Sequence, residues 1–203
     1  MKYDTVATDE QIEKTKQALE ANGLSVIVVS SGEEAKSAAL GLLPKGAEVM
    51  TTTSRTLETI GLDAAINDSG DYDAVRPKLN AMWGDPSKKR DQRKLGAAPD
   101  FVVGSVHAVT EDGRVLVASA TGSQLPAYSY GAGRVVWVVG AQKIVKDLDE
   151  ALARLTEHVF PLENERAKKA YGSGSAINKK FILNKEADPE RITLIIAKES
   201  LGF

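Results

Sequence analysis

The chain has no cysteine in its 203 residues. That absence excludes disulfides, thiolate nucleophiles and iron–sulfur ligation by the chain itself. Histidine is nearly as scarce. His107 and His158 stand on different predicted elements, without the companions that a metal site needs. No metal and no cofactor is therefore expected. An excess of charge is also lacking: 26 basic residues face 28 acidic ones, a net of −2. No general field draws the chain to nucleic acid or to an anionic membrane. No apolar run approaches the roughly 20 residues that cross a bilayer. The opening stretch, MKYDTVATDEQIEKTKQAL, is charged and lacks the apolar core of a signal peptide or anchor. The expectation is a soluble cytoplasmic protein with neither a nucleic-acid nor a membrane partner.

What is present is an alternation of strands and helices. Thr8-Asp9-Glu10-Gln11 is a capping-box pattern, and the helix it opens stops at Asn22-Gly23. Ser25–Ser30 (SVIVVS) reads as a buried strand. Ser31-Gly32-Glu33-Glu34 caps a second helix running to Leu43. Ala47–Thr52 reads as a second strand, and Thr53-Ser54 opens a helix through Leu57, Ile60 and Leu62. Such alternation argues for parallel βαβ units. Asp71–Ala98 reads as two short helices broken near Trp83–Pro86. Arg134–Val139 is another buried strand. Lys146–Tyr171 is a long helical segment bent at Phe160-Pro161. After a polar loop, Gly172–Asn178, the chain ends on a strand at Arg191–Ala197. No repeat or boundary divides residues 1–203, so one domain is expected, with residues 1–23 as an N-terminal helical extension.

The most informative stretch is Asp100–Gln124, DFVVGSVHAVTEDGRVLVASATGSQ. Two β-branched runs flank Glu111-Asp112-Gly113, an Asp-Gly turn signal. The second run ends in Thr121-Gly122-Ser123-Gln124, hydroxyls and a glycine before a predicted short helix. Thr51-Thr52-Thr53-Ser54 is placed in the same way. In open α/β sheets ligands sit beyond the carboxyl ends of strands, near helix N-termini. Two such loops on one sheet edge would form a polar cleft for a carboxylate or phosphate. Hydroxyls at these places serve equally well as helix caps. His107, in a strand before the turn, reads either as a structural residue at the sheet end or as a general base. His158 reads as a surface or helix-end residue. The basic run Lys88–Lys94 reads as a solvated helix face. Gly131-Ala132-Gly133-Arg134 precedes a strand and so is no dinucleotide fingerprint.

HAVTEDGRVLVASATGSQ followed by YGAGRVVWVVGAQKIV, over Ser105–Val145, resembles the core signature of the LUD-domain family of lactate-utilisation proteins. Ser54-Arg55-Thr56-Leu57 and the ending Asp188-Pro189-Glu190-Arg191-Ile192-Thr193 with Leu201-Gly202-Phe203 are similar to the family as well. The resemblance implies an α/β fold like that of the sugar-phosphate isomerases and CoA transferases (NagB/RpiA/CoA-transferase-like). This is a mainly parallel sheet with helices on both faces and a small antiparallel β insertion. It also implies a part in oxidising L-lactate to pyruvate alongside separate iron–sulfur subunits, of which this cysteine-free chain is the cluster-free component. Relatives commonly carry Asn where His107 stands, and TGNR where this chain has Thr121-Gly122-Ser123-Gln124.

The expected function is thus binding of a small organic acid or phosphorylated ligand in lactate utilisation. The candidate acid/base residues are His107 and Glu111. The candidate ligand-binding residues are Thr52, Thr53, Ser54, Ser105, Thr121, Gly122, Ser123 and Gln124. Two other readings stay open. One is a stand-alone isomerase or transferase using His107 or Glu111, with Thr121–Gln124 as a cradle. The other is a non-catalytic assembly subunit that docks an iron–sulfur partner. A homo-oligomer is compatible with each.

Overall fold

The fold starts at Thr8 as the capping box predicts. The structure, a computed structural model, describes residues 3–203, so the first two residues of the expected 1–23 extension lie outside it. Thr8 Oγ1 accepts the Gln11 N–H, and the Gln11 side chain returns to the Thr8 N–H. This opens α1 (Asp9–Ala21), which leads to β1 (Ser25–Val29), α2 (Gly32–Gly41) and β2 (Glu48–Thr51). The helix expected through Leu62 is two: α3 (Arg55–Thr59) and α4 (Leu62–Asn67). Gly61 separates them with φ +64°, a left-handed conformation that glycine takes without strain. There follow β3 (Asp73–Ala74), α5 (Val75–Ala81), α6 (Lys89–Ala97), β4 (Phe101–Gly104), β5 (Ala108–Thr110), β6 (Val115–Ser119) and β7 (Arg134–Gly140). The chain ends with β8 (Ile144–Val145), α7 (Leu148–Arg154), α8 (Phe160–Tyr171), β9 (Lys179–Leu183) and β10 (Ile192–Ala197).

Six strands form a parallel sheet in the order β1-β10-β7-β4-β2-β3. Its central strands are continuous apolar runs because both faces are covered. Successive side chains of β7 go to opposite layers. Val135, Trp137 and Val139 pack with Ile12 and Leu19 of α1 and Leu79 of α5. Val136 and Val138 pack with Ala35 and Ala39 of α2, Leu57 of α3 and Ile66 of α4. Helices thus cover both faces, as the resemblance implies.

The run Asp100–Thr110 is not one strand. β4 belongs to the large sheet, while β5 turns into a second sheet of order β8-β5-β6-β9. The residues between, Ser105–His107, carry the chain from one sheet to the other. Within the small sheet β5–β6 and β6–β9 are antiparallel and β5–β8 is parallel. It is therefore assembled from three separate chain segments, not from a single insertion. One face (Val109, Val115, Val117) joins the main core, and the other (Ala108, Leu116, Ala118) lies under Ala151, Leu155 and Val159. The long helical segment breaks just ahead of the expected bend. Pro161 has no N–H for the turn before it, and the chain takes a wide π-turn, Leu155–Val159, between α7 and α8. That turn buries His158, which is only 6% exposed and not at the surface.

Candidate functional site

The carboxyl ends of β2, β4 and β7 lie side by side, and polar side chains gather there. Beyond β7 a 3-10 turn, Ala141–Lys143, brings Lys143 back against the exit of β4. Lys143 is 2% exposed. Its ammonium donates to Thr56 Oγ1 (2.9 Å), Ser105 Oγ (3.1 Å) and the Val106 carbonyl (3.2 Å). Ser105 in turn donates to Thr56, and Thr56 donates to the Leu201 carbonyl. All three donors of the amine are thereby used, yet no carboxylate among the described residues pairs with it. Burial, and then the Arg154 cation, pull the Lys143 amine down to about 7.

Gly104 makes room for the next group. A Cβ there would overlap the Tyr128 hydroxyl and crowd Thr52 Oγ1. Tyr128, on a π-turn at Ala127–Gly131, stands edge-on to Trp137 and meets Thr52 Oγ1 at 3.1 Å. Burial raises its phenol to about 12, so it stays protonated at neutral pH. At the β2 end, Arg76 Nε donates to the Thr51 carbonyl at 2.9 Å and Nη2 to the same oxygen. Its Nη1 has no protein partner among the described residues, and no carboxylate there pairs with the guanidinium. Desolvation lowers its pKa.

Two further groups grip the linker to the small sheet. Arg154 is fully buried and donates from Nη1 to the His107 carbonyl at 2.5 Å. Its Nε and Nη2 have no hydrogen-bond partner among the described residues. His107 Nδ1 accepts the Ala118 N–H at 3.1 Å, which fixes the ring proton on Nε2. Burial, then Lys143, then Arg154 hold this imidazole down at about 3.

The residues singled out from the sequence divide among several places. Thr52 and Ser105 meet the cluster, one through Tyr128 and the other through Lys143. Ser54 Oγ caps α3 by accepting the Leu57 N–H, and Thr53 is exposed beside it. Thr121–Gln124 follows β6, in the small sheet, so it does not share a sheet edge with Thr51–Ser54. That loop is wired to itself and to β9. Ser119 Oγ accepts from Gly122 N and donates to Gln124, Ser123 N donates to Thr121 Oγ1, and Lys179 donates to the Thr121 carbonyl. Its link to the cluster is Tyr128, one turn later. Glu111 follows β5 and His107 precedes it. At about 3.3 Å per residue they stand more than 10 Å apart along the strand. The Glu111 carboxylate faces α1, held by Lys14 at 2.7 Å and Gln11 at 3.2 Å. Lys14, through its hydrogen bond and charge, holds it below the usual range. Lys143, Arg76, Arg154 and Thr56 escape a sequence reading because isolated cations normally mark surface. The one signal for Lys143 is position, just past a buried strand. Among the described residues no three His, Asp or Glu side chains come together as a metal-binding group.

A family model for the LUD domain matches residues 12–198. No curated protein matches. Among solved structures the chain is similar to a DUF162 family protein from Deinococcus radiodurans. The TM-score is 0.55 at 14% identity, covering 95% of this chain and 99% of that one. It has weaker likeness to eIF2B beta from Chaetomium thermophilum (TM-score 0.39, 14% identity, 59% and 44% covered). Likeness to a D-ribose-5-phosphate isomerase in complex with phospho-erythronic acid is comparable (TM-score 0.36, 16% identity, 64% and 66% covered). With the domain model spanning nearly its whole length, the chain belongs to the LUD-domain family.

Proposed function

We propose that the protein binds a small organic acid at the carboxyl edge of its parallel sheet and serves lactate utilisation beside separate iron–sulfur subunits. The observation that supports this most is the pair of cations, Arg76 and Lys143, without carboxylate partners among the described residues. A buried or half-buried cation without a counter-charge is costly, and an anion entering the cluster offsets that cost. Arg76 Nη1 and, at the end of the same strand, the exposed Thr53 and half-buried Ser54 hydroxyls are the donors this reading offers a carboxylate. Fork geometry makes arginine suited to two-point recognition of a carboxylate. The lactate connection comes with the family. The chain has no cysteine to ligate a cluster, so in this reading cluster chemistry rests with the partners.

The test is a thermal-shift screen of lactate, pyruvate, sugar phosphates and CoA esters. A ligand at a hundred times its Kd stabilises the native state by about 2.7 kcal/mol, roughly 5–10 °C for a chain of this size. A shift with lactate or pyruvate that is lost in Arg76→Leu supports the reading. No shift with any of the four classes overturns it. Co-purification of cysteine-rich iron–sulfur subunits from the native host tests the partner separately.

A further inference from the structure

We propose that Ser105 and Lys143 form a serine–lysine pair that transfers the acyl group of an ester or thioester. The geometry divides the roles. Ser105 lies at the carboxyl end of β4, half-buried, with its hydroxyl within 3.1 Å of the Lys143 amine. Lys143 is sealed below it, so the serine is the member of the pair that an incoming carbonyl reaches. A serine hydroxyl is a weak nucleophile until a base within hydrogen-bond reach takes its proton, and lysine serves as that base in some serine hydrolases. A lysine does so only as a neutral amine. Desolvation and the Arg154 cation favour that form; among the described residues the charged or titratable groups coupled to it are His107, Arg154 and His158, with the Asp4 carboxylate one step further out against Arg154 and His158. None of the three is a carboxylate that would hold the ammonium. Thr56 Oγ1, 2.9 Å from the amine and in hydrogen-bond contact with Ser105, keeps the pair aligned.

The step balances as follows. With Lys143 neutral, the Ser105 hydroxyl turns its proton from Thr56 to the amine, which takes it as Oγ forms a bond to the acyl carbon. The bond from that carbon to the alkoxide or thiolate leaving group breaks, and the leaving group takes the proton from the lysine ammonium. Water then attacks the acyl-serine, Lys143 accepts its proton, and the bond from the acyl carbon to Oγ breaks as the ammonium returns that proton to Oγ. A carboxylic acid and the free serine result. Nothing is oxidised or reduced.

The probe is a fluorophosphonate, which bonds serine oxygen to phosphorus and expels fluoride. Intact-protein and peptide mass spectrometry should find one adduct, on the peptide carrying Ser105, absent in Ser105→Ala. The labelling rate of the wild-type chain should rise about tenfold per pH unit up to an inflection near pH 7, then flatten. Lys143→Met, if folded by its melting curve, should label at least a hundredfold more slowly. If that variant does not fold, the wild-type pH profile decides alone. No adduct on Ser105, a rate without an inflection between pH 5.5 and 9, or a folded Lys143→Met that labels normally overturns the proposal. Any of those results leaves organic-acid binding untouched, because the thermal-shift screen reads binding without the serine.

Discussion

Replacing Lys143 by Met should change how stability depends on pH. Folding brings the Lys143 amine from the ordinary 10.5 to about 7. Below pH 7 the folded and unfolded chains both hold the proton, and the cost of burying the charge is felt in full. Between 7 and 10.5 only the unfolded chain keeps it, so wild-type stability gains about 1.4 kcal/mol per pH unit from this group. The whole span corresponds to about 5 kcal/mol, an upper figure for a buried cation beside another. Lys143→Met removes the titration. It also removes the donor to the Val106 carbonyl, an offset of about 1–3 kcal/mol that does not vary with pH. The difference in unfolding free energy between wild type and variant should therefore move by roughly 2–3 kcal/mol in favour of wild type from pH 7 to pH 9. Urea denaturation of both proteins at pH 6, 7, 8 and 9, with equal m-values, measures this. Parallel curves for the two proteins would refute an amine held near 7.

Three other outcomes follow from the same cluster. Gly104→Ala puts a methyl group against the Tyr128 hydroxyl, whose ring is fixed against Trp137. It should cost about 1–3 kcal/mol in a urea melt and abolish any ligand-induced thermal shift. Arg154→Met keeps the buried stem and removes a guanidinium with two unpartnered nitrogens. Removal of the buried charge offsets loss of the donor to the His107 carbonyl, so net stability should change little, and the Lys143 inflection in the labelling profile should move above pH 7. An inflection that stays put would separate Arg154 from the amine. The ring of His107 should show one Nε2–H tautomer by NMR and no titration from pH 5.5 to 8. His107→Asn should fold, because the amide oxygen can accept the Ala118 N–H in place of Nδ1. A midpoint near 6.5 for His107 would contradict the two-cation environment.

The scaffold was legible because its signals are local. Thr8, Ser31 and Ser54 cap helices where the sequence puts caps. The continuous apolar runs of β1, β7 and β10 mark strands covered on both faces. The division of Asp100–Thr110 was not legible. Phe101–Gly104 and Ala108–Thr110 are both short apolar runs, and the glycine that ends the first does not announce a change of sheet. What splits them is tertiary: Tyr128 and Thr52 close over Gly104 and turn the chain. The candidate loops were found for a sound reason, hydroxyls at strand ends. Pattern alone cannot say which sheet a strand joins, and the structure sets Thr121–Gln124 after a strand of the small sheet, apart from the edge that carries Thr51–Ser54. The buried cations were hidden for a different reason. Lys143 in AQKIV and Arg154 in ALARL look like ordinary helix-surface residues, and only the packing of α7 over the small sheet takes Arg154 out of water. His158 was hidden in the same way.

The residues that carry the chain from one sheet to the other are gripped by two buried cations. Lys143 holds the Val106 carbonyl and Arg154 the His107 carbonyl, and one cation lowers the proton affinity of the other. Most of the titratable groups there are out of play at neutral pH. His107 is neutral, the Tyr128 phenol is protonated, and Arg154, lowered to about 10, remains a cation. Lys143 is the group poised to change charge. That gives the two proposed activities opposite signs. An ammonium favours a bound carboxylate, so organic-acid affinity should fall as pH rises through about 7. A neutral amine favours attack by Ser105, so labelling should rise over the same interval. Calorimetric affinity for lactate or pyruvate and fluorophosphonate rate, measured on one preparation from pH 5.5 to 8.5, should cross. Two curves moving in the same direction would mean that Lys143 does not control both.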